Sequence, residues 1–135
     1  MKSDQRFCTT KSNKPFDKAL LAKKILKDTL PYIKSKKSKT FSYIIKNYDR
    51  SIGASLSGEI ARLYGNYSLS KKPITLSFTG TAGQSFGAWN VSGLNMTLNG
   101  DANDYVGKGM AGGNIVIQSP KELKTIASST VAIGN

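Results

Sequence analysis

The sequence predicts a mainly β protein, a parallel β-helix or solenoid, preceded by a short helical and basic N-terminal region. Segment 78–87 recurs twenty residues later as segment 98–107, with glycines at matched positions. The thirteen glycines are concentrated after residue 52, as repeated tight turns require. Residues 1–72 hold 17 basic and 5 acidic side chains, whereas residues 73–135 are neutral overall. These contrasts indicate a basic tail with an amphipathic helix at 1–40 and a β-helical domain at 41–135.

The N-terminal region is expected to contain one helix. Residues 1–14 are polar without periodicity and indicate a tail. From residue 15 to about residue 30, leucine and isoleucine recur at helical spacing, with lysines on the opposite face. Pro15 suits a first helical turn and Asp17 complements the helix dipole, while Pro31 is expected to end the helix.

The middle of the chain predicts one strand and a second helix. Residues 41–45 form a β-prone run. At about 56–64 the apolar residues share one helical face, so a helix is expected there. Ser55 or Ser57 is a candidate N-cap, and Gly65 stands where a helix usually ends.

Beyond Pro73 the pattern changes to strict alternation of apolar and polar residues. The runs 74–78, 94–98 and 115–117 alternate in this way and are separated by Gly, Asn and Asp turns, so each is predicted to be a strand. Glycines recur at one phase of the repeat, which places identical corners above one another. Parallel stacking is therefore favoured over hairpins, and repeats of this length are typical of solenoids.

Composition excludes several kinds of site. The chain has one cysteine, Cys8, and no histidine, which rules out a structural zinc site and any Ser-His or Cys-His nucleophile pair. No apolar run approaches the ~20 residues that a membrane span needs, so we expect a cytoplasmic protein. The basic helix lacks interleaved aromatic residues, and neither nucleic acid nor a membrane is predicted as a partner.

Two short motifs are interpreted as turns. Residues 107–112 match G-x-G-x-x-G, but the following run 115–117 predicts a strand, where a dinucleotide site needs a helix. Residues 101–104 resemble the start of a calcium loop and lack its later ligands, so Asp101, Asn103 and Asp104 are assigned to turn hydrogen bonds. The sequence therefore predicts no catalytic, cofactor-binding or metal-binding residues and no cofactor.

Four segments together carry a resemblance to a known family. They are 47–60, 80–89, 98–113 and 133–135, of which 99–113 reads NGDANDYVGKGMAGG. The chain resembles the C-terminal GXGXG domain of the glutamate synthase large subunit over about residues 40–135, and more loosely from Asp17. Trp89 departs from the pattern, since a smaller aromatic residue is usual there.

The resemblance implies a fold and a role. It implies a right-handed, single-stranded β-helix that carries no catalytic residue and packs as a scaffold between an amidotransferase domain and an FMN and iron–sulfur synthase domain. Those parts together make two glutamates from glutamine and 2-oxoglutarate. It also implies that 41–135 is a truncated domain, because the family continues through further coils.

The predicted function is a structural fragment of a glutamate synthase, with no catalysis by this chain alone and with the other synthase domains as partners. The alternatives are a free-standing basic binding module, a nucleotide-using oxidoreductase, and a β-helix subunit of a complex like formylmethanofuran dehydrogenase. The apolar run 130–135 has no cap after it in the sequence. We therefore also expect self-association through an open C-terminal coil, involving Val131 and Ile133.

Overall fold

A computed structural model describes residues 19–65, 69–119 and Ile133. Its elements, in chain order, are α1 (Leu20–Lys34), β1 (Lys39–Ile45), α2 (Ala54–Tyr64), β2 (Ile74–Ala82), β3 (Leu94–Ala102) and β4 (Asn114–Gln118). The strands form one four-stranded sheet in the order β1-β2-β3-β4, and every neighbouring pair is parallel. None of the helices in this described part of the chain is long and apolar enough to cross a membrane.

The prediction of a right-handed, single-stranded parallel β-helix is wrong. The described residues form a small α/β fold with one parallel sheet and two helices. The twenty-residue repeat arises because successive strands pair in parallel with a fixed register. Such pairing occurs in a single α/β sheet as well as in a solenoid, so the repeat does not distinguish the two folds. After β1 the chain turns into helix α2, and after β2 and β3 it returns through turns.

The predicted parallel register is confirmed. Phe78 pairs with Leu98, and Gly80 with Gly100, in the β2–β3 ladder. The twenty-residue shift seen in the sequence is thus the register of two adjacent strands. The strands predicted at 41–45, 74–78, 94–98 and 115–117 all lie within β1 to β4.

The core lies between one face of the sheet and the two helices. Six inward side chains of β2 and β3 are at most 1% exposed, and they are Ile74, Leu76, Phe78, Leu94, Met96 and Leu98. Ile25 and Ile33 of α1 and Leu56 and Ile60 of α2 belong to the same apolar cluster. Each such burial contributes about 1.5–3 kcal/mol relative to an exposed side chain.

Helix α1 differs from the prediction at Pro31. The proline lies inside the helix, which continues to Lys34, and the Ser35 amide still donates to the Pro31 carbonyl at 3.1 Å. Ile33 is fully buried, and the Tyr64 hydroxyl donates to the Ile33 carbonyl at 2.9 Å. These tertiary contacts outweigh the cost of a proline in the last turns. The predicted start at Pro15 lies outside the described residues.

Helix α2 begins earlier than predicted and without a side-chain cap. Its N-cap is Gly53 in a left-handed conformation, and no side-chain cap hydrogen bond is present. The prediction that Ser55 or Ser57 caps the helix is therefore wrong, because both serines lie inside it. The predicted end is confirmed, since Gly65 is the C-cap and its amide donates to the Ala61 carbonyl at 2.8 Å.

A polar cluster joins α1 to β1 at the surface. Asp28 Oδ2 accepts from Lys24 Nζ at 2.7 Å and from the Tyr43 hydroxyl at 3.1 Å. The hydrogen bond from Lys24 holds the pKa of Asp28 below its usual range. Burial, together with Asp28, raises the pKa of Tyr43. On α2, the hydrogen bond from Arg62 lowers the pKa of Glu59.

These shifts predict how stability depends on pH. A carboxyl group whose pKa is lowered on folding stabilises the folded state above its unfolded pKa, and this contribution is lost as pH falls through the folded pKa. No histidine is present to titrate near neutrality. We expect the free energy of unfolding to be nearly flat from about pH 6 to 8 and to fall below about pH 4. Urea unfolding at a series of pH values measures this, and in Asp28→Asn the fall should be smaller.

Candidate interaction surface

Three turns follow β1, β2 and β3 and stack on one another at residues 51–53, 85–89 and 105–109. Equivalent positions of the three turns share a left-handed φ. The first position has φ values of 53° at Ser51, 64° at Ser85 and 65° at Tyr105. The glycine two residues later has φ values of 100° at Gly53, 67° at Gly87 and 63° at Gly107. Backbone bonds join the layers, for example from Gly87 N to the Ile52 carbonyl and from Gly107 N to the Phe86 carbonyl, both at 2.9 Å. The stack therefore fixes each turn by its neighbours.

The two sequence motifs interpreted as turns lie in and beside this stack. Gly107 and Gly109 of the G-x-G-x-x-G match are in the third turn, and strand β4 follows them. Asp101 Oδ1 accepts from Thr81 Oγ1 at 2.6 Å, and the Asp104 carbonyl accepts from the Ser85 amide at 2.9 Å. In the described part of the chain, no group of three or more His, Cys, Asp or Glu side chains could hold a metal ion.

Trp89 occupies an unusual position in the second turn. Its φ is 54°, a conformation that is uncommon for a bulky residue and costs about 1–3 kcal/mol. The indole lies across Gly109 of the third turn, where a Cβ would come within 2.8 Å of Trp89 Cδ1. Even so, 62% of Trp89 is exposed to solvent. The turn stack thus holds a large aromatic side chain at the surface.

Trp89 forms one wall of an apolar groove of 330 Å³. The same wall includes Val91, Gly109 and Ala111 of the turns. The opposite wall is one face of α2, made of small residues at helical spacing, which are Ala54, Ser57, Gly58 and Ala61. No charged side chain lines this groove among the described residues.

Two groove residues of α2 are unusual for a helix interior. Ser57 is 1% exposed, and its Oγ has no hydrogen-bond partner among the described residues. A buried polar group without a partner costs about 1–3 kcal/mol. A Cβ added to Gly58 would have no described atom within 4 Å. Nothing within the described residues therefore requires a glycine there, and glycine costs about 0.8–1.0 kcal/mol relative to alanine in a helix.

A matched pair of substitutions tests this account of the two glycines. We expect Gly58→Ala to raise the free energy of unfolding by about 0.5–1 kcal/mol, because the added methyl group enters open space in a helix. We expect Gly109→Ala to lower it by more than about 1 kcal/mol, because φ is +68° and the methyl group meets the indole. Urea denaturation of both variants measures the difference. Equal effects of the same sign would contradict the groove geometry.

A second depression is polar and lies near the first turns of the stack. It measures 350 Å³ and is lined by Asn47, Arg50, Gln84, Asn103 and Asp104. Arg50 donates a hydrogen bond to the Gln84 side chain across it. The structure thus brings the predicted turn residues Asn103 and Asp104 beside Arg50, where the Asn103 amide donates to the Ala82 carbonyl and the Asp104 carbonyl accepts from the Ser85 amide.

The structure describes only some of the residues named in the sequence predictions. Cys8, the tail 1–14 and Val131 lie outside the described residues, whereas Ile133 pairs with Ala102 and is 41% exposed. The groove was missed from the sequence. Its signal was the spacing of small residues at 54, 57, 58 and 61, which marks one helix face.

The fold and the turn stack define a parallel-sheet protein whose turns depend on left-handed glycines at matched positions. The chain belongs to the GXGXG motif family, which matches residues 19–135. The resemblance to the GXGXG domain of glutamate synthases is confirmed by its relatives.

Three relatives illustrate the similarity. The chain is 50% identical over 91 residues to the ferredoxin-dependent glutamate synthase of Cyanidium caldarium, covering 67% of this chain and 6% of the relative. It is 47% identical over 91 residues to the NADH glutamate synthase of Saccharomyces cerevisiae, covering 67% and 4%. It is 40% identical over 123 residues to the NADPH glutamate synthase large chain of Bacillus subtilis, covering 91% and 8%. The chain therefore spans less than a tenth of each of these synthases.

Proposed function

We propose that the chain is a structural part of a glutamate synthase and carries out no catalysis of its own. The observation that carries the proposal is that this chain is 40–50% identical to a small segment of each of three glutamate synthases. The names of these three synthases specify different electron donors, which are ferredoxin, NADH and NADPH. In this proposal, the other parts of the enzyme catalyse the reaction that forms two glutamates from glutamine and 2-oxoglutarate. A cytoplasmic location goes with the same proposal.

The proposed partners are the amidotransferase and FMN synthase parts of such an enzyme. A domain that packs between other domains needs a rigid core and exposed surfaces. Here the buried faces of β2 and β3 and the hydrogen-bonded turn stack make the core rigid. The division into a basic region at 1–40 and a domain at 41–135 stays a prediction.

A free-standing basic binding module is less well supported. Lys24, Lys36, Lys39, Lys46 and Lys108 each place the ammonium group 4.7–5.9 Å from the centroid of a tyrosine ring of the same chain. Such cation–π contacts stabilise the fold itself. These five lysines thus have a use within the chain, which favours the structural proposal.

A mixing experiment tests the proposal. The probe is the Bacillus subtilis large chain from which the segment matching this chain has been removed, prepared as a monodisperse, cooperatively melting species. We expect this chain and the probe to sediment together as one complex. Separate sedimentation would contradict the proposal. Tight binding of FMN or NADPH by the chain alone would instead support an oxidoreductase, and nucleic-acid binding that falls steeply with salt would support the basic module.

We also predict self-association of the chain alone. Among the described residues β4 pairs only with β3, and Val116 of β4 is 43% exposed. An unpaired, apolar strand edge favours pairing with another chain. Sedimentation at tens of micromolar should show species larger than a monomer, and Val116→Lys should reduce them. A monodisperse, cooperatively melting monomer of the unchanged chain would refute this prediction.

A further inference from the structure

The groove between α2 and the turn stack has features that contacts within the described chain do not explain. Gly58 has a helical conformation, and no described atom approaches the position of a Cβ there. Gly109, on the other wall, has an evident reason to be glycine, because the Trp89 indole lies on it. Gly58 therefore keeps one side of the groove open, and no described residue of the chain fills the space beside it.

Ser57 gives an independent indication that a ligand binds there. Ser57 lines the groove and is 1% exposed, and its buried Oγ has no hydrogen-bond partner among the described residues. Buried hydroxyl groups in proteins are normally hydrogen-bonded. Rotation of the Ser57 side chain about χ1 is needed to turn Oγ toward the groove, where a group that enters the groove would satisfy it.

Trp89 supplies the kind of wall that binding sites use. It is held at a left-handed φ by the turn stack and exposes 62% of its surface beside the opening. Tryptophan is enriched among the few residues that dominate the affinity of protein interfaces, where it lies in well-packed pockets. Burial of this indole against a partner would remove the exposed apolar surface.

We infer that this groove receives an apolar side chain from another part of the glutamate synthase polypeptide, and that Ser57 Oγ turns toward the groove to hydrogen-bond a backbone group beside that side chain. The inference rests on the proposed function and names the surface that it would use. The guest is apolar because no charged residue lines the groove. It is a synthase segment because the matched relatives carry this sequence as 4–8% of a much longer polypeptide.

The test uses the full chain, the shortened Bacillus subtilis large chain as the probe, and Trp89 as the reporter. Trp89 is the single tryptophan of the chain, so labelling with 5-fluorotryptophan gives one ¹⁹F signal from the groove. We expect this signal to shift when the unlabelled probe is added. A complex that forms without a change in the Trp89 signal would overturn the inference and leave the proposed function standing.

Matched variants test the groove itself. Gly58→Leu fills the open space and should weaken probe binding by at least about tenfold, whereas Ser55→Leu, on an exposed position of the same helix outside the groove, should change it less than about twofold. Ser57→Ala should leave the melting temperature of the chain unchanged or raise it, and should weaken binding by about three- to tenfold. This variant adds no bulk, so it decides the matter if Gly58→Leu does not fold.

The outcomes separate the two proposals. If Gly58→Leu folds and binds the probe with unchanged affinity, the groove assignment is overturned and the proposed function stands. If Gly58→Leu does not fold, unchanged affinity of Ser57→Ala has the same consequence. Failure of the unchanged chain to bind the probe would contradict the proposed function and the inference with it.

Discussion

Gly100→Ala is expected to unfold the protein. Gly100 lies beside Gly80 in the β2–β3 ladder, its φ is +153°, and an added Cβ would overlap the Gly80 carbonyl oxygen. The obstacle is backbone, which cannot move aside as the end of a flexible side chain can. The two central strands would have to separate, and we expect a loss of more than about 4 kcal/mol, comparable to the whole stability of a marginal domain.

Circular dichroism and urea denaturation of the purified variant measure this effect. Asn99→Ala is a suitable control, because Asn99 is an exposed neighbour on the same strand. We expect the control to melt cooperatively, within about 1 kcal/mol of the unchanged chain. Cooperative melting of Gly100→Ala at the same urea concentration as the unchanged chain would contradict the register described for β2 and β3.

Phe78→Ala is expected to have the second largest effect, a loss of about 3–5 kcal/mol. Phe78 is 1% exposed and stands at the centre of an aromatic group, with ring centroids 5.3 Å from Phe86 and 5.9 Å from Tyr43. Truncation would remove buried apolar surface from three elements at once and leave a cavity between strand β2 and the turn stack.

Phe78→Leu provides the comparison for this variant. Leucine keeps most of the buried volume and stands at the equivalent position 98 of the next strand, so we expect a smaller loss than for alanine. Equilibrium unfolding in urea gives both values. A loss below about 1 kcal/mol for Phe78→Ala would show that Phe78 is not a central core residue.

The sequence predicted the strands and their order well, for a physical reason. In β2 and β3, alternate side chains are buried, so alternation of apolar and polar residues is visible along the chain. The repeat that relates Phe78 to Leu98 is the register of the two strands. The alternation arises within one strand, and the repeat arises between two adjacent strands. Both are therefore visible as periodicity in the sequence.

The errors have a different origin. The repeat could not tell what lies across the core from the sheet, and helices α1 and α2 take the place that further strands take in a solenoid. Pro31 was expected to end α1, but burial of Ile33 and the bond from Tyr64 extend the helix past it. The groove was missed because it depends on which turn residues face Gly58, and that is a tertiary relation.

The measurement that tests the central claim most directly is glutamate formation from glutamine and 2-oxoglutarate. The samples are this chain alone, the shortened Bacillus subtilis large chain with its electron-donating partner, and the mixture of all components. The account predicts no glutamate from this chain alone and more from the mixture than from the shortened chain without it. Glutamate formation by this chain alone, or equal rates with and without it, would contradict a structural role in a glutamate synthase.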